Sequence, residues 1–144
     1  MVQGKPYQAY QNTNIQTANQ KQLILMLYDG MNRFMLKAVK KIEENDVESA
    51  HNLLHRVEMI LAELLSTLRE DRGGEIASNL KKLYVYCYER IVTANLYKDE
   101  KAIEIINEVQ NILTKLRDGW ETTEGGNVKK EFTSTAPRRI SLTG

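Results

Sequence analysis

Cysteine occurs once in this chain of 144 residues, proline twice and tryptophan once, and no apolar run is long. Each scarcity excludes something. A single thiol, Cys87, cannot close an internal disulfide, so the fold must hold without staples and a reducing compartment is expected. The longest apolar run, Leu23 to Tyr28, falls far short of the ~20 residues that cross a bilayer, which predicts no membrane insertion. Met1 is followed by neither an arginine-rich nor a long apolar stretch, which predicts no secretion signal and a cytoplasmic protein. A formal net charge of +1 leaves no broad positive field for nucleic acid.

What is present is helical pattern. The length suits one domain with its own core. The two prolines, Pro6 and Pro137, bracket everything periodic, and between them the breakers are Gly30, Gly73-Gly74 and Gly119. Asn19 is a good cap for a first helix running to about Glu44. Asp46 caps a second to about Glu70, and Asp71-Arg72-Gly73-Gly74 is the next break. A third helix is expected from Glu75 to about Lys98, and Asp99 caps a fourth ending near Trp120. Residues 1–17 read as an irregular arm, 18–120 as the helical domain, and 121–144 as a flexible tail of Thr, Glu, Gly, Ser and Lys.

At about 100° per residue the helix faces can be counted. In the second helix Val47, Ala50, Leu54, Val57, Leu61, Leu64 and Leu68 alternate in steps of three and four, a bundle seam. The fourth carries one stripe from Ala102 through Ile106 and Val109 to Trp120, and the first a broad arc around Leu27 and Tyr28. Four such helices with short turns predict an all-α, antiparallel four-helix bundle. The third helix departs from the pattern. Its expected core stripe is Ile76, Leu80, Leu83, Cys87, Ile91 and Ala94. A second apolar line, Val85, Tyr88, Val92 and Leu96, falls on the side a bundle helix normally turns to water, so it wants a cover.

Reactive constellations are absent from the pattern. His51 and His55 lie four apart on one helical face near Glu48 and Glu58, a spacing that can chelate a divalent metal. Asn52 follows His51, so the carboxylate base of a metalloprotease helix is missing, and no further histidine exists. Solvated surface histidines are the stronger reading, with no metal or other cofactor expected. Four-helix bundles with an exposed histidine also serve in phosphotransfer. Here Arg56-Val57-Glu58 follows His55, placing a carboxylate where a phosphate would approach. Cys87 falls on the core stripe as a small hydrophobe, and Gly73-Gly74 lacks the lysine of a phosphate loop. No catalytic residue is assigned, and an enzyme is not expected.

Particular residues resemble a known family. Pro6-Tyr7-Gln8-Ala9-Tyr10 and Thr17-Ala18 precede Leu25-Met26-Leu27-Tyr28-Asp29-Gly30 and Arg33-Phe34. Gly73-Gly74-Glu75-Ile76-Ala77, Asn79-Leu80, Leu83-Tyr84, Tyr86, Arg90, Ala94-Asn95-Leu96, Leu116-Arg117-Asp118 and Trp120 follow in order. Over about residues 6–120 the chain resembles the flagellar export chaperones of the FliS family. Asn19-Gln20 departs from the family's usual Ser or Asp followed by Pro, and the tail matches nothing in it.

The resemblance implies an antiparallel bundle that binds the C-terminal segment of flagellin in the cytoplasm. It would prevent premature polymerisation and present the subunit to the type III export gate. Further partners open to such a protein are a co-chaperone or an anti-sigma factor. The expected flagellin-binding residues are Tyr7, Tyr10 and Ile15 of the arm with Val85, Tyr88, Val92 and Leu96 of the third helix. The alternatives are a histidine phosphotransfer-type bundle and a generic helical adaptor with another guest.

Overall fold

A computed structural model describes residues 20–68 and 70–122. The arm, with Tyr7, Tyr10 and Ile15, and the tail from residue 123 lie outside the described residues. Four helices follow one another: α1 (Gln20–Glu43), α2 (Val47–Thr67), α3 (Glu70–Tyr97) and α4 (Glu100–Thr122). The connections are too short for anything but antiparallel neighbours. α1 packs on α2, α2 on α3, α3 on α4, and α4 closes the ring on α1. The fold is the all-α, antiparallel four-helix bundle that the periodicity predicts.

The α1–α2 and α3–α4 turns share one end of the bundle, and local chemistry closes both. Asn45 takes a left-handed conformation (φ 62°), its N–H bonding to the Ile42 carbonyl at 3.0 Å and that of Asp46 to the Lys41 carbonyl at 2.8 Å. The Asp46 carboxylate accepts the Ser49 N–H at 3.2 Å, and this bond holds its pKa below the ordinary carboxylate value. The second turn repeats the device. Lys98 is left-handed (φ 52°), its N–H bonds to the Ala94 carbonyl at 2.9 Å, and Asp99 accepts the Ala102 N–H at 3.0 Å.

The opposite end gathers the start of α1, the α2–α3 link and the end of α4. Here one expected boundary is corrected. α2 stops at Thr67 rather than near Glu70, because Leu68 is extended (ψ 137°) with its N–H bonded to the Leu65 carbonyl. The expected break at Gly73-Gly74 is present: Gly74 (φ 61°, ψ −138°) is non-helical and separates a short helical segment starting at Glu70 from the main run of α3. That backbone conformation is open to glycine and hardly to any other residue.

The core runs the length of the bundle through Met31 and Met35, Leu54 and Leu61, Ile91 and Ile106, all fully buried. Val47, expected on the seam, is 58% exposed, since it opens α2 beyond the reach of the core. The core stripe of α3 is also corrected. Ala77, Leu80, Tyr84, Cys87, Ile91 and Ala94 are buried, in strict steps of three and four, whereas Ile76 and Leu83 are only partly buried. Hydropathy favours Leu83 over Tyr84, but the regular alternation of a bundle seam favours the tyrosine.

Candidate functional site

Tyr84 can sit in the core because its hydroxyl is satisfied there. Its oxygen lies 2.5 Å from that of Tyr28, on the diagonally opposite helix α1, and the Trp120 indole hydrogen-bonds to both tyrosines. Burial pushes the Tyr84 hydroxyl up to about 12 and that of Tyr28 well above its usual value. The pair is therefore a neutral structural clasp. Burial likewise pushes the Cys87 thiol up to about 12, which leaves it without nucleophilic character at neutral pH.

Two further ties fasten α4, one to α1 and one to α3. Asp29 accepts two bonds from Arg117, at 2.6 and 3.3 Å, and Glu121 binds the same guanidinium at 3.0 Å. These carboxylates raise the Arg117 pKa, the Asp29 hydrogen bond contributing most. Across the α3–α4 seam Tyr86 donates to Glu108 at 2.5 Å and Arg90 reaches the same carboxylate at 3.3 Å, holding its pKa low. The residues that suggested the family, Tyr28-Asp29, Tyr84, Tyr86, Arg90, Arg117 and Trp120, are thus largely the bundle's cross-links.

With those side chains turned inward or tied down, α3 presents two outer surfaces. On its α4 flank a furrow of about 320 Å³ opens beside the Gly74 kink. Ile76, Leu80, Leu83, Leu116 and Trp120 supply its apolar lining, with Lys115 at the rim. Sequence reasoning placed these residues in the core and missed the furrow. Beyond the Tyr86–Glu108–Arg90 bridge the same seam widens to a polar cleft of about 670 Å³ that includes Thr93, Tyr97 and Glu104.

The other surface is the expected guest line. Val85 and Val92 are partly exposed, Leu96 is 75% exposed, and Tyr88 is partly buried against the core. Val85 also lines a shallow depression with Lys81, Lys82 and Tyr86. The structure thus spreads these four along one helix and leaves three of them outside the core cluster.

Among the described residues no group of three or more histidine, cysteine or carboxylate side chains is set to hold a metal ion, and no helix is long and apolar enough to cross a membrane. A cross-tied bundle that leaves an apolar furrow and an outward apolar line on α3 uncovered among the described residues defines a helical binding scaffold. A sequence model of the family described as "Flagellar protein FliS" matches residues 3–127. The chain is 35% identical over 116 residues to the flagellar secretion chaperone FliS of Bacillus subtilis, covering 81% of this chain and 84% of that one. It is 36% identical over 108 residues to the flagellar secretion chaperone FliS of Salmonella typhimurium, covering 74% and 78%. The Campylobacter jejuni flagellar secretion chaperone FliS is 34% identical over 114 residues, covering 79% and 87%. The chain belongs to the FliS family of flagellar secretion chaperones.

Proposed function

We propose that this chaperone holds the C-terminal segment of flagellin in the cytoplasm, keeps it from polymerising early, and hands it to the export gate. The guest is read as docking along the outer line of α3, at Val85, Tyr88, Val92 and Leu96. The observation that carries this is the apolar line itself: a bundle helix normally turns polar residues outward, and Leu96 stands 75% exposed. An amphipathic segment laid over such a line buries its own apolar face, and that burial offsets the cost of ordering it. Binding of this kind needs no nucleotide and no metal.

In this reading the arm supplies a second element. Tyr7, Tyr10 and Ile15 give it apolar weight, and tyrosine suits an occupant that must leave, since its hydroxyl is content at a wet rim. The arm covers part of the groove in the free chaperone and is displaced by flagellin.

The decisive experiment is calorimetric titration with full-length flagellin and with flagellin lacking its C-terminal segment. One guest per chaperone, a negative heat-capacity change and loss of binding on truncation are expected. Equal binding of both forms refutes the reading. Val92→Glu is expected to weaken binding while changing stability by no more than about 0.5 kcal/mol, as for other surface positions. Deleting residues 1–16 is expected to leave binding at least as tight while the free protein aggregates more readily. Markedly weaker binding by a folded truncation makes the arm a permanent wall of the site.

A further inference from the structure

His51 and His55, the chain's two histidines, stand one turn apart on α2 with parallel rings, 6.1 Å between centroids and 6° between planes. Behind each ring is an oxygen. The Nδ1 of His51 lies 3.3 Å from the Asn95 side-chain oxygen, and the Nδ1 of His55 lies 3.3 Å from one Glu58 oxygen. Both oxygens are acceptors, so each Nδ1 carries a proton, and in the neutral imidazole the lone pair is left on Nε2. The two acceptors are themselves fastened. Asn95, 7% exposed, donates from its amide nitrogen to the His51 carbonyl at 3.4 Å and to the other Glu58 oxygen at 3.3 Å. One amide and one carboxylate, joined to each other, thus set the tautomer of both imidazoles.

That is the arrangement found behind metal-bound histidines, where the ring nitrogen away from the ion donates to a carboxylate or carbonyl that orients it. We propose that His51 and His55 form a two-point chelate for a borderline divalent transition ion of the zinc class. Neutral imidazole prefers such ions to magnesium or calcium. Histidines four apart on a helix can offer both Nε2 atoms to one ion after small side-chain rotations, and both rings are exposed enough to admit it. No third protein ligand stands beside them among the described residues, so water or a donor brought by a partner fills the other positions. The site is an open, exchangeable one, and Asn95 and Glu58 are its positioning residues.

The test uses the full chain and zinc chloride, followed by calorimetry. Cys87 is buried and no other histidine exists, so competing sites are few. One saturable zinc ion per chain is expected, with binding abolished in His51→Ala and in His55→Ala and unaffected by excess magnesium. Glu58→Ala and Asn95→Ala are each expected to weaken binding about tenfold or more, the usual effect of losing an orienting partner. Glu58 serves as the safeguard should the buried Asn95 variant fail to fold. Absence of saturable binding overturns the proposal. So does binding that survives removal of both histidines, or full affinity in folded Glu58→Ala, which would make this a bare histidine pair and an adventitious ion only.

Discussion

The two ends of the bundle are built on different plans. At the end holding the α1–α2 and α3–α4 turns, each connection is closed the same way: a left-handed residue, then an aspartate capping the next helix. At the opposite end α2 gives way to an extended residue, α3 kinks at Gly74, and an apolar furrow lies open between α3 and α4. The first end is satisfied by its own backbone and short polar side chains. Among the described residues the second leaves apolar side chains partly uncovered, and it is also where the chain enters α1 and leaves α4. Local rules therefore close one end completely, whereas the other is shaped by packing.

The largest effect should come from setting buried against furrow positions on α3. Ile91→Ala removes a fully buried side chain and is expected to cost about 3 kcal/mol, read from urea denaturation midpoints at constant m. Leu83→Ala, in the furrow, is expected to cost less, about 1 kcal/mol, because part of that side chain already meets water. Equal losses would mean the furrow is sealed. Gly74→Ala comes next. An added Cβ meets nothing within 4 Å, so the expected loss of about 2 kcal/mol is backbone strain alone. A neutral result would show that the kink relaxes without cost. At the closed end Asp99→Ala should lower stability by about 1 kcal/mol through loss of the cap, measured by thermal unfolding. The smallest change is Asn45→Gly, expected to raise stability by a few tenths of a kcal/mol (about 0.3), since glycine adopts the left-handed conformation without steric cost.

The same contrast governs what could be read in advance. The closed end was legible: Asp46 and Asp99 cap where their spacing before apolar runs says they should. The fold class followed from four periodic stretches and short links. The open end was legible only in its break at Gly73-Gly74. Whether Leu83 or Tyr84 faces inward depends on a rotation of one residue step, and hydropathy pointed to the leucine. The structure decides for Tyr84 because Tyr28 and Trp120 give its hydroxyl partners from distant parts of the chain. The furrow escaped notice for a related reason, since Ile76, Leu116 and Trp120 look like core until their neighbours are known. At the histidine pair the spacing was visible, with Glu58 one turn on, but the oxygen behind His51 comes from Asn95 on another helix. The line Val85, Tyr88, Val92 and Leu96 was readable as an anomaly because α3 alone carries it.

Trp120 joins the two halves of this contrast. It is the chain's one tryptophan, 4% exposed, bonded inward to the tyrosine clasp while it lines the open furrow. The protein therefore carries a single native indole with one side in the core and the other facing the furrow. A segment entering the furrow would change the polarity around the indole and shift its emission, while an event confined to the histidines on α2 would leave the colour of that emission unchanged. Without any label, the wavelength of its light can report whether the furrow has been occupied.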